Sequence, residues 1–295
     1  MIFPHNKKQK NRTLAALLLP GLIIIFFVFA VPILYSIYLS LLNFSRGVAD
    51  PSFVGLDNYF HLFRDDAFWH SIRLTLYFVV WAVAIEIVLG LLIALLLNEK
   101  FWGVKLLRVL LLLPWAIPWV VNGIMWRWIY NPHFGPLNRL LRQFGFITRN
   151  INWLGEPARA MRMMILADVW KETSFIALLF LAGLQTIPED YYEVAKIEGA
   201  NILQRFYHIT LPAIKPVLFV ALSLRTIWAF KSFDLVYALT QGGPSRGTNL
   251  INFHIYQVTF RSLNFSYGAT LSLILTLIIL IITVIYYQVM IKEAE

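Results

Sequence analysis

Asp168, Lys171, Glu172 and Phe175 stand at i, i+3, i+4 and i+7, a spacing that puts all four on one face of a helix. Arg225, Trp228, Ala229 and Ser232 repeat that spacing further along the chain. Each face sets charged or hydroxyl groups beside an aromatic ring. Carboxylates and guanidinium groups form paired hydrogen bonds with hydroxyls, and the C–H face of a sugar ring packs on an aromatic one. The two faces together therefore suit a polyol or sugar. A structural reading stands beside this one. Asp168, Lys171 and Glu172 can form ion pairs that tie helices together, and Arg225 can pair with a carboxylate on a neighbouring helix.

Both faces lie inside apolar runs, where charge is costly and marks function by default. Hydrophobic residues make up 59% of the 295-residue chain and charged residues only 14%, against about 25% in a soluble domain. The composition belongs in a bilayer. The net charge of +9 then reflects Lys and Arg flanking membrane segments and facing headgroups, not nucleic acid. With no Cys in the chain, a disulfide framework and a thiolate metal site are excluded.

Six runs are long enough to span as helices: Leu14–Ser40, Leu74–Leu97, Leu106–Tyr130, Met163–Gln185, Ala213–Thr240 and Gly268–Met290. The first exceeds the length of a signal-peptide core and reads as a retained span. The runs are continuous rather than alternating, which makes this an all-α membrane protein. Residues 1–13 form a basic tail, and residues 14–295 the six-helix domain. Lys7, Lys8, Lys10 and Arg12 place the N-terminus in the cytoplasm. Residues 98–105, 186–212 and the C-terminus follow it there, and 43–72, 131–162 and 241–267 face outward. The 131–162 loop votes against this with Arg139, Arg142, Arg149, Arg159 and Arg162. Pro20 and Pro32 interrupt the first span, and Pro114 and Pro118 open the third. Glu86 lies mid-way along the second span as a structural charge or a site. Arg127 reads as snorkelling to the interface.

The cytoplasmic stretch YYEVAKIEGANILQRFYHITLPAIKP, from Tyr191 to Pro216, is polar and helix-prone. It suggests two short helices, Glu189–Glu198 and Leu203–His208, with a bend at Gly199, and Pro212 ending the unit and starting the next membrane span. Tyr192, Ala195 and Gly199 form a small, smooth face that fits a groove on a partner. Physics alone leaves this level with an amphipathic helix lying on the membrane.

The residues also carry a family resemblance. Glu193-Val194-Ala195, then Gly199, then Ile209-Thr210-Leu211-Pro212 resembles the EAA motif of the membrane subunits of binding-protein-dependent ABC importers, with Val194 in place of the usual second Ala. LTQGGP (Leu239–Pro244) followed by Thr248, and FVGLDNYFHLF (Phe53–Phe63), are similar to the maltose and glycerol-phosphate branch. The resemblance implies a type I importer permease with six helices and a cytoplasmic EAA coupling loop. It implies docking of that loop on an ATPase subunit. Tyr192, Glu193, Ala195, Ile197, Gly199, Leu211 and Pro212 would serve the joint: Glu193 and Ala195 at the contact, Gly199 at the bend, Tyr192 and Ile197 packing. It places the eight residues of the two faces along the sugar pathway, here with charges where neutral groups are usual. A second homologous permease subunit, two ABC ATPase subunits, an extracytoplasmic solute-binding protein and a sugar are the implied partners, besides lipid. No cofactor is implied on this chain, ATP and magnesium belonging to the ATPase subunits. The location is the bacterial or archaeal cytoplasmic membrane, with both termini inside.

No G-x-x-x-x-G-K-[ST] occurs in the chain, so the reading is a non-enzymatic permease. An ion-coupled carrier using Glu86 and Asp234 as proton or sodium sites is the alternative. It leaves the 186–212 block unexplained. A membrane-embedded enzyme would need clustered ligands, and the histidines are scattered at 5, 61, 70, 133, 208 and 254.

Overall fold

The computed structural model describes residues 7–45 and 51–290. Residues 1–6 of the basic tail, 46–50 and 291–295 lie outside them. The chain divides into two units, Met1–Asp65 with Ile255–Ile274, and Asp66–His254 with Leu275–Glu295.

The first unit opens with α1 (Lys7–Ile25), a π turn over Phe26–Ala30, and α2 (Val31–Ser40). The helix thus begins within the expected basic tail. Pro32 has no N–H for the carbonyl four residues back, and its ring crowds that turn. The helix widens instead of breaking, with the Val31 N–H donating to the Phe26 carbonyl. Strands β1 (Leu42–Asn43) and β2 (Ser52–Phe53) pair antiparallel, Leu42 opposite Phe53. In α3 (Asp57–Arg64), Asn58 donates to the carbonyls of Ser40 and Leu42, each at 2.8 Å. Tyr267 closes the unit by donating to the Asp65 carboxylate at 2.6 Å. Much of the FVGLDNYFHLF stretch is therefore a local clamp under the first span.

The second unit contains α4 (Asp66–Asn98), α5 (Val104–Ala116), α6 (Trp119–Ile129), α7 (Pro136–Gln143), α8 (Pro157–Leu184), α9 (Glu189–Ile197), α10 (Ile202–Arg205), α11 (Leu211–Phe230) and α12 (Asp234–Leu239). Helix α13 (Ile251–Tyr256) ends, and α14 (Phe265–Met290) begins, in the first unit. The core runs between α4, α8 and α11, with Ala94, Leu97, Ile176, Phe180, Leu184 and Ile214 buried together. Small residues let the helices close. A Cβ on Gly90 would sit 2.5 Å from Ile176 Cγ2 and 3.2 Å from the Ala177 amide nitrogen. The same side chain on Gly183 would meet Val217 Cγ2 at 2.7 Å. Gly90→Val should therefore lower stability by about 1–3 kcal/mol, the cost of overpacking. The check is the thermal midpoint of the purified protein, and adding Ile176→Ala should recover part of the loss.

Among the described residues four helices are long and apolar enough to cross a membrane, and counting the one bent pair as a span makes five. Helix α8 has the length, at 28 residues, but its Asp168, Lys171 and Glu172 break the apolar run. The third expected span, Leu106–Tyr130, is corrected. It is two helices, α5 and α6, meeting at 93°. Ile117 is extended (φ −71°, ψ 129°) and so is Pro118 (φ −57°, ψ 144°), because a proline drives the residue before it out of the helical region. The fifth expected span, Ala213–Thr240, is corrected at both ends. The helix runs unbroken from Ile202 to Phe230, and a turn at Lys231–Phe233 separates it from α12. Pro212 sits in the first turn of α11, as expected of a span start, but it does not end the unit: α10 runs on into α11 through a π turn over Phe206–Thr210. The second of the two expected short helices is accordingly the beginning of the long helix that includes α11.

Candidate functional site: a charged cleft and an exposed connector

The two helix breaks create the site. A cleft of about 520 Å³ opens where α5 gives way to α6 and α11 to α12. Of the eight residues on the two polar faces, Lys171, Glu172, Trp228 and Ser232 line it. Lys171 Nζ donates to the Trp115 carbonyl at 3.0 Å and to Glu172 Oε1 at 3.1 Å, and lies 4.4 Å from the centre of the Trp119 ring. The Trp115 carbonyl is free to accept because α5 ends at the next residue, Ala116. Lys171 thus ties α8 to the break. Phe175 stacks on Trp115 at 5.5 Å and packs against Trp228 at 5.2 Å, which holds both indoles in the wall.

Asp168, Arg225 and Ala229 are buried and are not part of the cleft lining. Arg225, with no exposed surface, donates from Nε to Glu86 Oε2 at 2.5 Å and from Nη2 to Glu86 Oε1 at 2.7 Å. Nη2 also reaches Asp168 Oδ2 at 2.7 Å. One guanidinium therefore joins α4, α8 and α11. This is the helix-tying arrangement, a bidentate fork plus a third bond. It engages both Glu86 oxygens, the group that the ion-coupled alternative needed as a proton or sodium site.

Trp115 and Trp119, which escaped sequence reasoning, also line the cleft, as do Lys231 and Asp234, charges of the fifth expected span. The signal for the two indoles was the Pro114/Pro118 pair that opens the third expected span. Glu86 escaped as the partner of Arg225 because nothing local to its helix points there. It is the carboxylate of the second span, and only packing brings it to α11.

The connector is the second feature. Pro188 (φ −59°, ψ 136°) precedes α9, which carries Glu189 and Asp190 in its first turn and Lys196 in its last, charges that match the helix dipole. Gly199 has φ +83°. The Ala200 N–H reaches the Ala195 carbonyl at 2.8 Å and the Gly199 N–H the Lys196 carbonyl at 3.1 Å, a left-handed helix end that glycine makes without strain. Asn201 and Gln204 then form a reciprocal cap on α10, legible as N-x-x-Q but missed. Tyr192 Oη lies 2.9 Å from Thr210 Oγ1, so Tyr192 fixes α9 against the root of α11. Ile197 does not pack within the chain: it is 87% exposed. Glu193 and Gly199 are exposed, Ala195 and Leu211 half-buried, and Pro212 exposed. Thr248, singled out after LTQGGP, is buried and closes the loop after α12. Its hydroxyl donates to Thr240 Oγ1 at 2.7 Å and lies 2.8 Å from the Gly243 carbonyl.

The sequence pattern of the binding-protein-dependent transport system inner membrane component family matches residues 86–291. The chain belongs to that family. It is a multi-pass membrane protein and a permease subunit of an ABC importer. The permease is 39% identical to the trehalose/maltose transport system permease protein MalF of Thermococcus litoralis, over 92% of each chain. It is 36% identical to the sulfoquinovosyl glycerol transport system permease protein SmoG of Agrobacterium fabrum, over 95% of this chain and 91% of that one. Its fold is that of a bacterial ABC transporter involved in import of the acidic polysaccharide alginate, with a TM-score of 0.84 and 22% identity over 97% of this chain and 98% of the other.

Proposed function

We propose that this permease carries a sugar, a di- or oligosaccharide or related polyol, and forms half of the translocation pathway of an ATP-driven importer. The observation that carries the reading is the cleft. Its indole walls suit the C–H faces of sugar rings. Glu172 Oε2, on a side chain 1% exposed, has no partner among the described residues, leaving an acceptor for a solute hydroxyl. Lys171, Glu172, Trp228 and Ser232 contact the solute, while Asp168, Phe175, Arg225 and Ala229 support the wall. The transport systems named for the relatives, trehalose/maltose and sulfoquinovosyl glycerol, fall in the same chemical class.

The remaining parts follow the family scheme. The bent pair and α8 each count as one span, giving six, with both termini in the cytoplasm and residues 186–212 beside them. A second homologous permease subunit completes the pathway, and a solute-binding protein delivers substrate from outside. Two ABC ATPase subunits bind ATP and magnesium, so this chain needs no cofactor and performs no hydrolysis. Helix α9 and the Gly199 turn dock on one ATPase. Because the chain from Ile202 to Phe230 is one helix, movement at the dock reaches Trp228 at the cleft along a rigid rod.

ATPase activity of the complex in lipid, with its binding protein and a panel of sugars, tests the reading: one sugar should stimulate it. Trp228→Ala removes an apolar contact worth about 1.5–3 kcal/mol and should lower uptake on the order of tenfold, with protein level unchanged. Sugar-independent ATPase activity, with full uptake by the variant, would overturn the assignment.

A further inference from the structure

The stretch 131–153, NPHFGPLNRLLRQFGFITRNINW, holds Arg139, Arg142 and Arg149 and neither Asp nor Glu. The importer assignment gives these arginines no task, and they run against the expected charge asymmetry. The segment is firmly built. Asn138, buried in its centre, donates to the Ile151 carbonyl at 2.9 Å and accepts from the Ile151 N–H at 3.2 Å and the Trp153 indole at 3.0 Å. Helix α7 ends on Gly145, φ +75°, with the Phe146 N–H bonded to the Leu141 carbonyl at 2.8 Å. That turn aims Phe144 and Phe146 outward, 70% and 76% exposed, beside exposed Leu140. Arg139, Arg142 and Arg149 are exposed as well. No ion pair among the described residues involves any of the three, and Arg142 only approaches Asn150 Oδ1 at 3.5 Å.

Holding two phenylalanines and a leucine in water on a hydrogen-bonded turn is unfavourable, and three exposed arginines beside them, with no ion pair among the described residues, are free to bind anions. The segment leaves directly from α6, part of the bent apolar pair, whose Trp128 is 55% exposed near its end. A headgroup layer is therefore within reach of the hairpin. Apolar rings flanked by arginines at that level match the acyl–headgroup boundary of a bilayer. We propose that the α7 hairpin is a membrane-surface anchor. Phe144, Phe146 and Leu140 enter the acyl boundary, and Arg139, Arg142 and Arg149 hold anionic phospholipid headgroups.

The absence of cysteine gives a direct test. A fluorophore on F146C, in the complex with cysteine-free partner subunits, is read in nanodiscs of phosphatidylcholine with and without phosphatidylglycerol. It should be quenched by lipids bearing a shallow nitroxide and shielded from aqueous iodide. The phosphatidylglycerol preference should fall about fivefold for each arginine changed to Gln, if each contributes as a cation near an anionic surface does, and it should weaken with added salt. The proposal fails if iodide reaches the probe equally in both membranes. It also fails if the probe is covered only when the solute-binding protein is added, which would make this a protein-docking face. Sugar-stimulated ATPase activity, measured on the same samples, reports on the importer assignment separately.

Discussion

Arg225→Met should cost the permease about 3–5 kcal/mol, the price of leaving buried carboxylates without their cation. Arg225 makes three bonds to Glu86 and Asp168, and all three side chains are at most 1% exposed. Methionine fills most of the volume, so the loss is electrostatic rather than steric. Two carboxylates then face each other without water, and one must take up a proton or the helices must part. The expected result is a lower thermal midpoint of the purified protein and a reduced folded yield. Adding Glu86→Gln and Asp168→Asn to Arg225→Met removes the charges together and should restore most of the loss, since a buried ion cluster is often replaceable as a whole. An unchanged midpoint in the single variant would show that the carboxylates are solvated in the assembled protein. The effect would then move to transport, where these residues would act on the solute.

Gly199→Asp should leave the chain in the membrane but lower ATP-driven uptake at least about tenfold. A Cβ on Gly199 meets no atom within 4 Å, so no clash follows. The remaining cost is the left-handed backbone at φ +83°, about 1 kcal/mol for a residue with a side chain. On the proposed docking of the connector, the large effect is expected there. A carboxylate placed in an interface that excludes water, with no partner, costs about 2–5 kcal/mol, which is more than a tenfold change in association. Gly199→Asn is the control. Asn tolerates the left-handed turn and carries no charge, so its uptake should stay close to that of the unaltered protein. Co-purification of the ATPase subunit separates the outcomes. Retained ATPase with lost uptake would move the fault from docking to movement, and full uptake in Gly199→Asp would remove the connector from coupling.

Sequence and structure divide the explanation along physical lines. Periodicity and length gave the long helices because burial of apolar side chains in a bilayer acts locally, residue by residue. The connector was legible for a related reason. Its signals are caps: Glu189 and Asp190 at a helix start, and Gly199 at a left-handed end, where backbone chemistry is decided within a few residues. The prolines were legible as interruptions but not in kind. Pro32 and Pro212 are absorbed by π turns, while Pro118 turns the chain through 93°. The local rule is the same at all three, and the neighbours differ. At Pro118, Lys171 reaches in from α8 to satisfy the freed Trp115 carbonyl.

The two polar faces show the same division. Their spacing identified which side chains share a side of α8 and of α11, and that alone pointed to hydrogen bonding near aromatic rings. Which of those side chains meet a solute and which meet each other was not in the spacing. Arg225 joins Glu86, 139 positions away, and Asp168, 57 away, while Trp228, on the same face, borders the cleft. By itself the sequence determined the helices, their caps and the apolar setting, because those depend on neighbours along the chain. Only the tertiary structure decided the charge triad, the bend at Pro118 and the walls of the cleft. Those depend on which distant carbonyl, carboxylate or ring packing delivers, and a buried charge must be satisfied by whatever arrives.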